Sequence, residues 1–230
     1  MAHVYDTKAQ IPAAAGSGVT ALTCIASITC GGSVTLLVLA LQTATTTART
    51  GNAPLYNSVT MTDSGLGSIS SGGEGRTELW YLSDPSKGAA YDVEVPNDGR
   101  INMRLIVSSY AAQSGYTSVL DVATSLASSA LANPGVSLLT TINGDVIIGT
   151  LFDGYASTPT AISHTLLYNN DDGAYNRNAQ YFLQATAGAT TLSWTITSDD
   201  VAIIVAAFKE SLIGAAANAT MIIKQYHWGE

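Results

Sequence analysis

Charged residues are scarce in this chain. They make up 11% of 230 residues, with nine Lys and Arg in total and a net charge of −8. The basic residues stand singly from Lys8 to Lys224, so no stripe exists to grip a phosphate backbone, and no nucleic-acid partner is expected. Cysteine is scarcer still. Cys24 and Cys30 lie six apart; on one strand that is about 20 Å, far outside disulfide reach. They read as two small buried hydrophobes and are too few for a metal site. Residues Met1 to Asp6 carry neither the basic nor the apolar segment of a secretory signal. The uncharged stretch between Lys8 and Arg49 is broken by Thr, Ser and Gly. Its continuous apolar core, Leu36 to Leu41, is strand-sized rather than the ~20 residues of a membrane span, so a soluble chain is expected.

The signatures of common catalysts are missing too. No G-x-S-x-G elbow is present. His3, His164 and His227 each lack a second His or Cys at ligand spacing. His164, in phase with Ile162 and Leu166, reads as a core or interface residue. Glu78 on one strand with Asp92 and Glu94 on the next could mimic a glycosidase pair, but solvated outer-face carboxylates are the simpler reading. The loop Asn169-Asn170-Asp171-Asp172-Gly173 is rich in oxygen ligands yet lacks the alternation and distal Glu of an EF-hand. Turn formation explains it, with bound Ca²⁺ as the alternative. Tyr155, Tyr168, Tyr175 and Tyr181 around that loop are either a sugar-stacking platform or cross-strand packing. Asn218-Ala219-Thr220 has the form of a glycosylation sequon, which carries no weight without a secretory signal. No catalytic residue, cofactor or metal ligand is assigned.

What the chain does have is strand sequence. Ser33 to Gln42 is apolar on both faces, as are Thr77 to Leu82 and Val201 to Phe208, which marks internal strands. Tyr91 to Val95 and Thr190 to Thr197 alternate cleanly. Asp63 to Gly75 reads as a Gly/Ser loop with Leu66 and Ile69 its only packing residues. Gly31-Gly32, Pro96-Asn97-Asp98-Gly99 and Asn143-Gly144 predict reversals, the last two joining hairpins. Ser118 to Ala132 departs from the pattern: Val119, Val122, Ala123, Leu126 and Ala130 fall at helical spacing, Ser118 with Asp121 resembles a capping box, and Asn133-Pro134-Gly135 closes it. At most one short helix is expected, and it lies there, with a Ser-rich loop as the alternative. No internal repeat is visible. The core is expected to bury Trp80, Trp194, Leu37, Leu39, Ile203 and Val205.

Three stretches carry a resemblance: Leu79-Trp80-Tyr81-Leu82 followed by Pro85 and Gly88; Gly144-Asp145-Val146-Ile147; and Ser193-Trp194-Thr195 with the Ala-rich run to Lys209. Across about Thr20 to Lys209 the chain resembles a β-sandwich domain that recurs in structural proteins of tailed bacteriophages and in bacterial surface proteins. The resemblance implies an all-β, two-sheet sandwich of jelly-roll type and a non-catalytic virion protein, decorating a capsid or contributing to a tail or fibre. It implies other virion proteins and further copies of the chain as partners, and assembly in the host cytoplasm. A carbohydrate-binding or adhesin module recognising a surface glycan is the second reading, and a glycan hydrolase the third. The organisation expected is an extended arm over 1–18, a sandwich domain over 19–210, and an extension over 211–230 with a final strand, Met221 to Trp228. Arm and tail are both expected to lie against neighbouring subunits, since neither carries a core of its own.

Overall fold

The computed structural model describes residues 3–11, 24–44, 52–71, 75–96, 103–154, 161–171 and 175–213. Among them every regular element is a β-strand, and the strands form four antiparallel sheets. The all-β sandwich class holds, built from four sheets where two were expected. In chain order the strands are β1 (Val4–Ile11), β2 (Cys24–Thr29), β3 (Leu36–Thr43), β4 (Leu55–Tyr56), β5 (Val59–Thr60), β6 (Thr62–Ser70), β7 (Arg76–Ser83), β8 (Ala90–Val95) and β9 (Arg104–Ala111). The second half continues with β10 (Tyr116–Leu131), β11 (Gly135–Leu139), β12 (Asp145–Asp153), β13 (Ala161–Ile162), β14 (Thr165–Asp171), β15 (Asn176–Gln184), β16 (Ala189–Thr195) and β17 (Asp199–Leu212).

The strand orders repeat. The first half forms the sheets β1-β9-β3-β7-β6 and β2-β8-β4-β5; the second forms β10-β17-β12-β15-β14 and β11-β16-β13. Each strand of one half has a counterpart at the same place in the other, and β5 alone is extra. The repeat reaches single residues. β1 shifts register between Tyr5 and Thr7 against β9, and β10 shifts between Leu120 and Val122 against β17. In each case an aspartate, Asp6 or Asp121, is the bulged residue. Each of these aspartates accepts a backbone N–H from the turn that precedes the sheet's central strand: Gly31 N to Asp6 Oδ2 at 3.2 Å, Thr141 N to Asp121 Oδ2 at 2.8 Å. No sequence periodicity announced this duplication, because the paired positions rarely hold the same residue.

The four sheets stack as layers. In the first half, Leu37, Leu39 and Leu41 of β3 join Ala26, Ile28, Val93 and Val95 in the core under the outer sheet. In the second, Ile147, Leu151, Ile203 and Val205 join Val136, Leu138, Leu192 and Trp194. The alternate residues of the same central strands, Leu36, Val38 and Ala40 against Val146, Ile148, Ile204 and Ala206, form the middle core where the two inner sheets meet. That is why β3, β12 and most of β17 read as apolar on both faces: they are covered on both. Burial of each such Leu, Val or Ile contributes about 1.5–3 kcal/mol.

The middle interface is self-complementary. The ring of Tyr81 on β7 packs edge-on against Phe208 on β17, with centroids 5.1 Å apart, and Tyr181 on β15 packs edge-on against Tyr110 on β9 at 5.8 Å. Tyr81 and Tyr181 hold equivalent places in their sheets, as do Tyr110 and Phe208. A contact from residue i of one half to j of the other is thus returned by j to i, the pattern of an isologous dimer interface. Within one chain it gives a pseudo-twofold axis.

Several expectations are corrected. The segment expected as a helix is the 16-residue strand β10. The bulge at Asp121 explains the misleading spacing: Leu120 faces the middle core before it, while Val122 and Leu126 face the outer core and Ala123 the middle one after it. A phase slip in a period of two mimics a period near 3.6. The expected hairpins do not form. β8 and β9 lie in different sheets, and so do β11 and β12, so the Asn143-Gly144 turn, with Gly144 at φ 92°, passes the chain from one layer to the next. The 63–75 loop is largely β6, an edge strand seated by Leu66 and Ile69 and kinked where Asp63 Oδ1 accepts the N–H groups of Gly65 (2.6 Å) and Gly67 (3.0 Å). The arm is an integral strand: residues 4–11 form β1, paired along β9. Trp80 is half-buried; the other five expected core residues are buried. Residues 12–18 and the tail from 214 lie outside the described residues.

Candidate functional site

Four segments from both halves converge around one end of the pseudo-twofold axis. They are the β2–β3 turn with Ser33 and Thr35, the β7–β8 loop with Asp84 and Lys87, the link from β9 to β10, and the end of β17. Together they enclose a pocket of about 620 Å³, within the range of small-molecule sites, which favour such junctions. Its walls are fixed by hydrogen bonds. Asp84 N donates to Thr35 O at 2.8 Å, Gln113 N to Glu210 Oε1 at 2.7 Å, and Ile213 N to Gly115 O at 3.0 Å. Asp84 holds a left-handed backbone, φ 52°, and its carboxylate pairs with Lys87 Nζ at 2.6 Å.

Behind the pocket a polar relay crosses the axis. Ala112 N donates to Thr35 Oγ1 (2.8 Å), which shares a hydrogen with Ser118 Oγ (2.8 Å); Ser118 Oγ lies 2.9 Å from His3 Nε2, and His3 Nδ1 lies 2.8 Å from Gly144 O. The carbonyl can only accept, so Nδ1 carries the proton and Nε2 accepts from Ser118. Burial lowers the His3 pKa, against a smaller opposing effect of the Gly144 bond, and keeps the ring neutral. A serine on a histidine is the geometry of a nucleophile and its base. Here Ser118 is 0% and His3 1% exposed, so no substrate reaches either, and the relay ties β1, β3, β10 and the β11–β12 turn together.

A second buried cluster lies beside it. Asp121 Oδ1 accepts from Lys209 Nζ (2.8 Å) and Thr141 Oγ1 (2.5 Å). Burial acts to raise Asp121, but these bonds outweigh it and hold the carboxyl below the usual range. Asp145 is fully buried and receives no hydrogen bond from any N–H or O–H at either carboxylate oxygen. Burial first, and the neighbouring Asp121 charge second, push it up to about 7. A protonated Asp145 beside an ionised Asp121 satisfies both. The sequence reading missed this pair because it placed Asp121 on a helix cap and Asp145 after a hairpin turn; the topology that joins them was the missing signal.

The residues singled out from sequence are dispersed. Glu78 is buried, on the face of β7 that looks toward the outer sheet, and accepts Trp80 Nε1 at 2.9 Å. Asp92 is exposed on β8, and Glu94 alternates outward with it while Val93 and Val95 point in, so Glu78 forms no facing pair with them. His164 sits in the break between β13 and β14, stacked on Phe182 at 4.3 Å with Nε2 donating to Thr191 O at 3.2 Å. Tyr168 and Tyr181 belong to the middle core, and Tyr175 packs against Phe152 and Arg177; packing, not a sugar platform, explains these three. Cys30 is buried, its thiol pushed up by burial, with Sγ 3.5 Å from the Tyr56 hydroxyl, which donates to Ser86 O at 2.9 Å. Tyr155, Asp172, Gly173, Asn218 and His227 lie outside the described residues, as does the side chain of Asp171. Among the described residues no three His, Cys, Asp or Glu gather as a metal site, and no helix is long and apolar enough to cross a membrane.

Comparison with protein-family models, with curated proteins and with solved structures finds no match to this chain.

Proposed function

We propose that this protein is a structural component of a bacteriophage virion, a capsid decoration or a tail or fibre subunit, acting through contacts between subunits rather than through catalysis. The observation that carries the reading is the strand order. In each half most successive strands pass from one sheet to the other, with β4–β5, β6–β7 and β14–β15 the exceptions; this is akin to a jelly roll, an architecture that recurs in viral capsids and lectins. Two such units joined back to back bury both inner sheets and leave outer sheets and loops for neighbours. The low charge agrees with a surface that others cover. Glycan recognition is the second reading, favoured by the junction pocket.

The copy number of the chain in purified particles, measured by mass spectrometry, tests the proposal. Hundreds of copies support a capsid or tube role and a few support a fibre; absence from particles overturns it. Deletion of residues 221–230 followed by light scattering tests the tail. Loss of oligomers supports its role between subunits, and unchanged oligomers with wild-type particle occupancy overturn that role.

A further inference from the structure

We infer that the junction pocket is a binding site for a neutral saccharide of one or two units. The proposal goes beyond the virion reading and stands or falls separately from it. Among the described lining residues of the pocket the charged side chains are Asp84 and Lys87, and they are paired, with the Glu210 carboxylate held behind the wall by Gln113 N. A phosphate would find no unpaired cation among those residues.

The remaining chemistry matches a polyol with one apolar face. Hydroxyls and an amide line the wall, among them Ser211 and Gln113, while Tyr116 and the exposed Leu212 offer apolar surface. The ion pair matters most. Asp84 is 69% and Lys87 30% exposed at the side chain. One carboxylate and one ammonium 2.6 Å apart can together accept from and donate to vicinal hydroxyls, and hydrogen bonds to charged groups are the stronger kind. The left-handed backbone at Asp84 and the bond from its N–H to Thr35 O hold this pair in place before a ligand arrives, so little ordering is needed on binding.

The test is saturation-transfer NMR on the full chain with a panel of methyl glycosides of glucose, galactose, mannose, rhamnose, N-acetylglucosamine and N-acetylgalactosamine, and their homo-disaccharides. Saturation transfer to at least one member is expected. Ser114→Trp, at an exposed turn residue of the lining, should abolish it by filling the pocket. Lys87→Ala should weaken it about tenfold, the loss of a bond to a charged group, with circular dichroism unchanged in both variants. No transfer to any member overturns the proposal. So does transfer that survives Ser114→Trp and Lys87→Ala in folded protein, which would put the sugar elsewhere.

Discussion

The outer core of the first half has Leu39 on β3 and Val95 at the end of β8; the same two places in the second half hold Gly149 on β12 and Trp194 on β16. A Cβ on Gly149 would lie 2.6 Å from Leu192 and 3.0 Å from the Trp194 ring, so the glycine is the space the indole fills. One half distributes the volume over two medium side chains and the other concentrates it in one large one. Close packing constrains the sum more tightly than either member, which is how two halves share a fold while their sequences diverge.

The largest expected effects test that exchange. Trp194→Ala should destabilise by about 3–5 kcal/mol, as large-to-small core changes do, and also lose the bond from Nε1 to Asn178 Oδ1 at 2.6 Å. Gly149→Leu alone should cost about 1–3 kcal/mol or more through overpacking. Combined with Trp194→Val, which recreates the pair of the first half, it should cost less than the sum of the two single changes, with a favourable coupling of about 0.5–3 kcal/mol. Urea titration of the four proteins measures the cycle, and strict additivity would break the volume argument.

A smaller effect tests the pseudo-twofold axis. Tyr81→Ala and Tyr181→Ala remove equivalent half-buried rings from the middle core, each facing its partner across the interface. Each should cost about 2–3 kcal/mol, somewhat below a fully buried aromatic. Losses that differ by more than the whole effect would show that the two inner faces do not contribute alike.

Much of the layer pattern was legible in the sequence, and the connectivity was not. Ser33 to Gln42 and Val201 to Phe208 revealed their central positions because a strand covered on both faces must be apolar on both. Turn residues revealed reversals, but Asn143-Gly144 has the same local chemistry whether the chain returns to its own sheet or crosses to another. Only long-range pairing decides that. The helical reading of Ser118 to Ala132 failed at one residue, Asp121, where a bulge changes the phase. The candidate pocket was invisible for the same reason: Thr35, Asp84, Gln113 and Ser211 are far apart in sequence and meet only through the topology.

The halves also differ in how they respond to pH. The place of Asp145 is held in the first half by Thr35, which does not titrate. Asp145 keeps its proton in the fold up to about pH 7, whereas the unfolded chain releases it near 4. Its contribution is therefore full below pH 4 and is lost as pH rises through 7. His3 acts the other way. Its folded pKa is lowered, so below about 6.5 the unfolded state takes up the proton first and stability falls with acid. Asp145→Asn should leave stability rising with pH through 6.5, and His3→Gln should leave it falling between pH 4 and 7, each by at most about 1.4 kcal/mol per pH unit. Chemical denaturation across pH 4–8 reads both slopes, and identical profiles for the two variants would break the assignment.

The smallest expected effect, that of Asp6→Asn, belongs to a comparison of the two bulges. Asp121 is tied to Lys209 and doubly to Thr141, and its side chain is 1% exposed. Asp6 is exposed and accepts from Gly31 N and from Ser109 Oγ at 2.8 Å. A Cβ on Gly31 would lie 2.7 Å from the Asp6 carboxylate as it stands, whereas the equivalent place in the second half holds Thr141, whose hydroxyl adds a second bond to its aspartate. Asp121→Asn removes a charge from a buried bonded cluster and should cost about 1–3 kcal/mol. Asp6→Asn, in water, should cost about 0.5 kcal/mol or less. Asp121→Asn also removes the charge that helps hold the Asp145 proton, so it should shift the Asp145 transition to lower pH, while Asp6→Asn leaves it in place. Equal losses of stability, or a transition that stays put in Asp121→Asn, would mean that the two bulges are alike in energetics as well as in geometry. In that case the acid pair would not be what distinguishes the second half from the first.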